Sequence, residues 1–456
     1  MAKERGVFQN RFTAVMAMAG SAIGLGNIWR FPYMVGQNGG AAFILVYLFS
    51  AIFLCIPIFL AESIIGKRTH LSTFGAMEQL APGSRWKWIG FLTVFTPLII
   101  LSYYSVVGGW SIEYFLKSLS LSFSDPAISM EEHSAIFGGF ISSVWGPLVC
   151  HTVFMLVNAV VIVFGVQKGI EKFTKFTTPV LFTLIVLIML YSVNLPGAKA
   201  GIDYMLKPDF SKLTGASLLS AMGQAFFSLS LGVGCILTYA SYLKSDENLL
   251  ATGVYTSLFD LVFAIIAGFA IMPAVFSAGI EPGAGPGLIF ETLPYIFSTM
   301  GAGAPWLCDS IAILFFLTIL FAALTSSISM LEVGVAYLVD EKKMSRKKAT
   351  AILFALCWAL GVLCSLSFGP LKDFHIFGRT VFDACDHLTS DFLMTFGSLL
   401  FVFFVGWKMK KSEVRDEFTN HGSLRFNDKV FGVVYFFIRF VAPTVILVIF
   451  FSNLLM

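Results

Sequence analysis

The acidic residue Asp260 lies inside a long apolar stretch of the sequence. A carboxylate within a bilayer-length apolar segment is costly unless it is paired, so such residues usually mark ion or substrate pathways. A buried, hydrogen-bonded structural acid is the alternative reading of Asp260. If the carboxylate faces a cavity, it offers the oxygen ligand that a small hard cation prefers.

Glycines interrupt two other apolar stretches near their middles. They are Gly20, Gly24 and Gly26 in the first stretch, and Gly232 and Gly234 in the second. A single glycine in a membrane helix usually lets two helices approach closely. Two clusters at corresponding places instead favour unwound backbone, which is tolerated in a membrane only where it is buried in protein or lines a cavity. Freed carbonyls there bind a cation, and the N-terminus of a half-helix attracts a carboxylate.

The elements that must position these residues are membrane spans. Hydrophobic residues make up 57% of the chain and charged residues only 12%, whereas a soluble domain has about 25% charged residues. We count eleven apolar runs of bilayer length. Spans 1–11 are predicted at 12–36, 41–66, 88–118, 144–164, 173–193, 215–243, 250–278, 307–339, 348–368, 376–407 and 428–454.

Lysine and arginine are unevenly distributed among the connections between these spans. They concentrate in the loops that are cytoplasmic when the N-terminus is inside, including the segment around Lys342, Lys343 and Arg346. An odd number of spans then leaves the C-terminus outside. The first apolar run is longer than the core of a signal peptide, so we interpret it as a retained span. We expect a multi-pass protein of a bacterial-type inner (plasma) membrane, either monomeric or weakly homo-oligomeric, with no nucleic-acid partner.

Other function classes find little support in the sequence. The seven cysteines are scattered without metal-binding spacing, and no Walker motif is present. No set of nucleophile, base and orienting residue emerges, so an enzyme is not predicted. Transport driven by an ion gradient is the interpretation that remains.

The two interrupted spans also resemble each other. Ser21-Ala-Ile-Gly-Leu-Gly in span 1 and Ser230-Leu-Gly-Val-Gly in span 6 are similar segments five spans apart. The second copy therefore enters the membrane from the opposite side, which is typical of an inverted repeat. A central binding site between the two interruptions is predicted.

At this level of detail the chain resembles the neurotransmitter:sodium symporters, whose fold is of the leucine-transporter type. The resemblance covers nearly the whole chain. Its motifs are Gly20-Ser-Ala-Ile-Gly-Leu-Gly-Asn-Ile-Trp-Arg-Phe-Pro32, Asn38-Gly-Gly, Tyr103-Tyr104, Gln224-Ala-Phe-Phe-Ser-Leu-Ser-Leu-Gly-Val-Gly234, Thr238-Tyr-Ala-Ser-Tyr242, Gly285-Pro-Gly-Leu288 and Leu324-Thr-Ser-Ser327. The resemblance implies one all-α domain over residues 1–456, with repeats near 10–195 and 213–410 and a peripheral helix near 428–454.

The resemblance also implies that two sodium ions travel with the substrate. The first sodium site would use the Ala22 carbonyl, Asn27, Ser228, Asp260 and the carboxylate of the substrate. The second would use the carbonyls of Gly20, Ile23 and Ala322 and the hydroxyls of Thr325 and Ser326. Because Asp260 is a fixed negative charge, transport should not need chloride, which many animal relatives recruit. No organic cofactor is expected.

The expected substrate is an L-amino acid with a hydrophobic side chain, aliphatic or aromatic. Gly24 stands where monoamine carriers of the family place an amine-binding aspartate, so a ligand with its own carboxylate is favoured. Tyr104 and the backbone near Leu25 and Gly26 should bind that carboxylate. By resemblance the side-chain pocket, which lacks charged groups, is lined by Ser21, Ile100, Phe227, Ser230, Val233, Ser326 and Met330.

Two gates are predicted at opposite ends of the pathway. The outer gate comprises Arg30, Asp386 and Gln224, with Tyr104 and Phe227, and the inner gate comprises Arg5, Asp340 and Tyr242. Gly169 and Pro179 resemble a site of helix unwinding, although an ordinary proline kink explains them about as well. We interpret Glu62 as a packed structural acid. Two other functions remain open at this point: a proton-coupled or exchange carrier of related fold, and a sensor that binds an amino acid without moving it.

Overall fold

The computed structural model describes residues 6–121, 123, 128–280, 286–300 and 305–455, which are helical apart from turns, connections and one bridge between Ile376 and Arg379. Nine helices in this part are long and apolar enough to cross a membrane, and they correspond to predicted spans 2–5 and 7–11. They cover Ala41–Thr69, Lys87–Leu119, Trp145–Val163, Val166–Ser192, Leu249–Ser277, Trp306–Lys342, Arg346–Leu366, Val381–Lys408 and Arg425–Ser452.

Spans 1 and 6 are each broken into two helices. Helix 1a (Arg11–Ala22) and helix 1b (Gly26–Gln37) are bent by 56° relative to each other. Helix 6a (Gly215–Ser228) and helix 6b (Cys235–Ala240) are separated by residues 229–234. The predicted fold class, an all-α polytopic protein with breaks in these two spans, is confirmed. The exact limits of the two repeats stay a prediction.

Span 5 begins at Val166, seven residues before its predicted start at 173, and span 10 also differs at its start. The helix begins at Val381 rather than near residue 376, because Gly378 adopts a φ of 80° in the preceding turn. Thr380 then caps the new helix by accepting a hydrogen bond from the Asp383 amide. Span 2 in contrast continues to Thr69, three residues past its predicted end at 66.

Short helices connect the spans at both ends of the bundle. Thr73–Leu80 and Lys411–Phe418 lie at the end that carries the N-terminus, and Met130–Ser142, Ala198–Leu206 and Thr292–Met300 lie at the opposite end. Residues 13–28 of span 1 and 224–243 of span 6 are almost wholly buried, whereas spans 4, 5, 9 and 11 present a large share of apolar side chains to the outside. A bilayer covers such surfaces, so the two broken spans form the dry centre of the protein.

Candidate functional site

The break in span 1 exposes backbone groups that side chains then satisfy. Helix 1a ends where Ile23 turns to an extended conformation, with φ −68° and ψ 109°. The Gly24 amide donates to Asn27 Oδ1 at 3.1 Å, and the Leu25 amide donates to the Tyr104 hydroxyl at 3.1 Å. Tyr104 therefore keeps its own hydroxyl proton available for a ligand next to helix 1b.

The break in span 6 depends on left-handed backbone. Ser230, Gly232 and Gly234 have φ angles of 51°, 80° and 72°. Glycine adopts such angles without strain, while a serine there is strained and needs support from its surroundings. That support includes a bond from Ser230 Oγ to the Ser21 carbonyl at 3.3 Å, so the breaks of spans 1 and 6 are in direct contact.

Asp260 lies beside these breaks in a polar cluster that is almost fully buried. Its Oδ1 accepts from Asn27 Nδ2 at 2.7 Å, and its Oδ2 accepts from Ser228 Oγ at 2.8 Å. The Tyr47 hydroxyl donates to Ser228 Oγ at 3.2 Å. Helices 1b and 6a and spans 2 and 7 therefore meet at one carboxylate. The side chains predicted for the first sodium site are brought together. Tyr47 also belongs to this cluster, although it was not predicted from the sequence.

A second group of oxygens surrounds Thr325 in span 8. Its hydroxyl lies 3.0 Å from the Ala322 carbonyl and 3.4 Å from the Ile23 carbonyl, which helix 1a frees at its end. A Cβ built on Gly20 would lie 3.4 Å from Thr325 Cβ, so span 1 also approaches span 8 closely here. This group contains hydroxyls and carbonyls but no carboxylate, and carbonyls freed at a break in a membrane helix can coordinate a monovalent cation such as Na⁺.

A small cavity lies between the two groups. Its lining is formed by Ala22, Gly24, Gly26, Ile100, Tyr104, Phe227, Ser228, Ser230, Val233, Ser326, Met330 and Met394. The lining contains no acid and no base. Ser21 does not line the cavity, because its hydroxyl donates to Ser329 Oγ at 2.7 Å, and Leu25 contributes through its backbone. Met394 in span 10 was missed, since a lone methionine in an apolar span gives no signal in the sequence.

The side of the cavity away from the N-terminus is covered by Phe227. The Arg30 guanidinium lies over this ring at 4.6 Å, and Gln224 Nε2 donates to the Gly26 carbonyl at 3.0 Å. In the described part of the chain no ion pair within 4.0 Å joins Arg30 to Asp386. Asp386 instead accepts from Ser390 Oγ at 2.8 Å, although its charge still acts on Arg30 through space.

The side of the cavity towards the N-terminus is closed by aromatic side chains. Phe8 is 1% exposed, and its ring makes edge contacts with Tyr239 at 6.0 Å and Tyr242 at 6.2 Å between centroids. Its amide donates to the Tyr242 carbonyl at 2.9 Å. The segment before helix 1a is thereby held against the end of helix 6b.

Polar groups add to this closure. Tyr242 donates from its hydroxyl to Glu332 at 2.6 Å, and Glu332 also pairs with Arg346. Asp340 accepts from the Ser72 amide at 2.8 Å. The predicted inner-gate partner Arg5 lies outside the described residues. Glu332 was not singled out in the sequence, although an acid within an apolar span is a signal that could have found it.

Comparison with known proteins places this geometry in context. A family model described as the sodium:neurotransmitter symporter family matches residues 5–131 and 142–456. An uncharacterized sodium-dependent transporter of Bacillus subtilis is 39% identical over 96% of this chain and 95% of its own length. One from Haemophilus influenzae is 36% identical over 99% of both chains. The crystal structure of MhsT in complex with L-phenylalanine matches with a TM-score of 0.89 at 39% identity, covering 99% of this chain and 100% of that one.

Proposed function

The chain belongs to the sodium:neurotransmitter symporter family and is a sodium-dependent membrane transporter, and from this premise we propose that it imports hydrophobic L-amino acids by alternating access, without chloride. The observation that carries the proposal is the uncharged, mainly apolar cavity at the contact between the two helix breaks, with the Asp260 cluster beside it.

Coupling between ion and substrate follows from the position of the carboxylate groups. An amino acid whose carboxylate faces Tyr104 and the amides of the span 1 break lies next to Asn27 and Ser228. A sodium ion held by the Asp260 cluster could then share that carboxylate, so each ligand would strengthen the binding of the other. The oxygens around Thr325 support a second sodium ion that stabilises the same break from its other side.

The substrate class rests on the lining of the cavity. A charged side chain placed there would lose its hydration without gaining an opposite charge, which is strongly unfavourable. Apolar contacts are instead offered by Ile100, Val233, Met330 and Met394. The two methionines are flexible and adapt to ligands of different shape. That MhsT was crystallised with L-phenylalanine supports an aromatic substrate, while the apolar lining is equally suited to an aliphatic one.

The distribution of charge supports a cytoplasmic N-terminus and an external C-terminus in the plasma membrane. In this orientation the Phe8 closure faces the cytoplasm and the Phe227 lid faces outwards. The direction of uptake then follows the sodium gradient.

Uptake into proteoliposomes tests the proposed function. We expect an inward sodium gradient to drive accumulation of radiolabelled leucine, phenylalanine or tryptophan, and potassium in place of sodium to abolish it. Accumulation driven equally well by a proton gradient without sodium would instead establish a proton-coupled carrier. Binding of amino acid with neither uptake nor counterflow would establish a sensor.

The role of Asp260 gives a second test, directed at chloride. Wild-type uptake should be unchanged when gluconate replaces chloride. Asp260→Asn removes a charged acceptor from two hydrogen bonds, each worth about 1.5–3 kcal/mol when charge-assisted, so sodium-dependent binding should weaken at least tenfold or become sensitive to chloride. The matched variant is Asp309→Asn, a buried acid of span 8 outside the cavity lining. Chloride-indifferent uptake at the wild-type rate by Asp260→Asn would contradict the assignment.

A further inference from the structure

Spans 9 and 10 pack against each other in antiparallel fashion at their outer ends. The Phe382 amide donates to Ser367 Oγ at 3.4 Å, and the rings of Phe368 and Phe382 make an edge contact at 5.0 Å. Where two antiparallel helices are in contact, the residue three positions earlier in one helix lies opposite the residue three positions later in the other. Cys364 lies three residues before Ser367, and Cys385 lies three residues after Phe382. The helix register therefore places the two cysteines opposite each other.

The side chains confirm this register. The thiols of Cys364 and Cys385 are close enough to interact with each other, and both are free. Cys364 is completely buried, whereas Cys385 is partly exposed. A reagent arriving from outside can therefore react with Cys385, and the Cys364 thiol lies next to the sulfur that has reacted. Disulfide exchange requires this arrangement.

We propose that Cys364 and Cys385 form a redox-sensitive pair that closes to a disulfide and restrains the outer end of span 10. The oxidant is a disulfide-bearing compound or protein of the oxidising space outside the membrane. The Cys385 thiolate attacks one of its sulfur atoms, forming a mixed disulfide and releasing the first thiol. The Cys364 thiolate then attacks Cys385 Sγ, forming the internal bond and expelling the second thiol. Two protons and two electrons leave the pair, and the oxidant's disulfide is reduced to two thiols.

The consequence for transport follows from the neighbours of Cys385. The next residue is Asp386, which faces Arg30 above the cavity, and the following segment His387–Leu393 is π-helical. π-Helical turns interrupt the regular hydrogen bonding of a helix and allow it to bend. The first turn of span 10 can therefore move relative to the rest of the span. A bond to span 9 would remove that freedom at the outer barrier and slow the opening of the lid.

The first test concerns the bond alone and is independent of the transported substrate. Purified protein is treated with oxidised glutathione, and free thiols are counted with a maleimide under denaturing conditions. We expect the count to fall by two of the seven cysteines, and non-reducing peptide mapping to recover a linked Cys364–Cys385 peptide. Cys385→Ser should abolish the linked peptide. Cys150→Ser and Cys308→Ser, which alter two other cysteines near outer helix ends, should leave it unchanged. Recovery of no linked peptide would overturn the proposed site.

The second test concerns regulation, and this part of the inference rests on the proposed function. Oxidised glutathione outside proteoliposomes should reduce sodium-driven leucine uptake several-fold in wild type, and dithiothreitol should restore it. Cys364→Ser and Cys385→Ser should transport at the untreated rate in both conditions. Formation of the linked peptide with no change in uptake would overturn the regulatory role. A wild type that fails to transport before oxidation contradicts the proposed function and leaves the peptide-mapping result to decide the disulfide.

Discussion

The amide nitrogen of Asn27 points at the Asp260 carboxylate. Its Nδ2 lies 2.7 Å from Asp260 Oδ1 and 3.0 Å from Ser228 Oγ, so a partly positive donor faces the carboxylate. Its Oδ1 meanwhile accepts from the Gly24 amide. In the proposed first sodium site, the amide would have to turn and present its oxygen, which would release the Gly24 amide. Ion binding would then be linked to the conformation of the span 1 break at this side chain.

Gly24 offers a direct test of the cavity. A Cβ at this position would lie 2.9 Å from the Tyr104 hydroxyl and 3.2 Å from Ser326 Cβ. We expect Gly24→Ala to lower the affinity for leucine at least tenfold, about 1.4 kcal/mol, because the methyl group occupies the place of the ligand. Scintillation-proximity binding in sodium buffer measures this. Gly223→Ala, in helix 6a with nothing within 4 Å of the added Cβ, is the matched control and should bind as wild type. Equal affinity in both variants would place the ligand elsewhere.

Single residues could be predicted from the sequence where their type was unusual for its surroundings. Asp260 and the glycine clusters are rare within apolar spans, and the structure places them at the centre of the protein. Tyr47 and Met394 are ordinary membrane-helix residues, so only the packing of spans 2 and 10 reveals that they reach the site. The separation of Arg30 from Asp386 also could not be predicted, because it depends on conformation rather than on residue type.

At the scale of elements, the break in span 6 depends on span 2. Glu62 is fully buried, and its Oε1 accepts from the Gly232 amide at 2.7 Å. Gly66, one turn further along, lets helix 6b approach so closely that an added Cβ would lie 2.2 Å from the Leu237 carbonyl. The acid interpreted from sequence as structural packing therefore has a more specific role. It satisfies a backbone group that the unwound segment leaves without a helical partner.

Two substitutions of Glu62 separate its hydrogen bond from its charge. Glu62→Ala leaves the buried Gly232 amide unsatisfied, at a cost of about 1–3 kcal/mol, so we expect a lower apparent Tm and loss of leucine binding. Glu62→Gln keeps an acceptor oxygen at the same place and should retain most of both. Differential scanning fluorimetry in detergent measures the Tm. Glu78→Ala, at a half-exposed acid, is the control, and an equally large shift there would argue against this role of Glu62.

Span 5 shows what a sequence cannot reveal about an element. Its first segment, Val166–Glu171, is π-helical, and this hydrogen-bond pattern has no signature in composition. Gly169 lies within it, where an added Cβ would be 2.0 Å from the Val161 carbonyl of span 4. Alanine at 169 would therefore push two spans apart rather than merely stiffen one. The segment also holds the N-terminus, since Gln167 donates to the Val7 carbonyl and Glu171 accepts from the Gln9 amide.

On the scale of the whole molecule, the two barriers differ in the number of side chains that form them. The outer barrier is one partly buried ring, Phe227, with Arg30 above it. The inner barrier combines the buried Phe8, the two tyrosines around it and the hydrogen bonds of Glu332. The conformation is closed on both sides but needs fewer contacts broken to open outwards. The span pattern could be predicted from hydropathy alone, whereas this asymmetry arises from contacts between distant segments.

Weakening the inner barrier should shift the whole protein towards its inward-open state. Phe8→Ala removes the ring that contacts Tyr239 and Tyr242. The lost contacts destabilise the conformations in which the segment before helix 1a is packed against helix 6b. A ligand that binds the closed site then binds with lower apparent affinity, in proportion to the population that remains closed. We expect leucine affinity in sodium to fall several-fold, while saturating sodium restores part of it.

A native cysteine reports the same shift without any ligand. Cys235 is fully buried at the start of helix 6b, where Ser329 donates to its sulfur and also contacts Ser21 of helix 1a. Movement of helix 1a away from this point admits water to the thiol. Phe8→Ala should therefore speed the labelling of Cys235 by a small charged maleimide, followed by peptide mass mapping, and sodium should slow it again. Phe12→Ala changes a neighbouring ring of helix 1a that is 54% exposed, and its labelling rate should match wild type. If Phe8→Ala labels no faster than Phe12→Ala, the aromatic cluster is not the barrier that keeps the inner side closed.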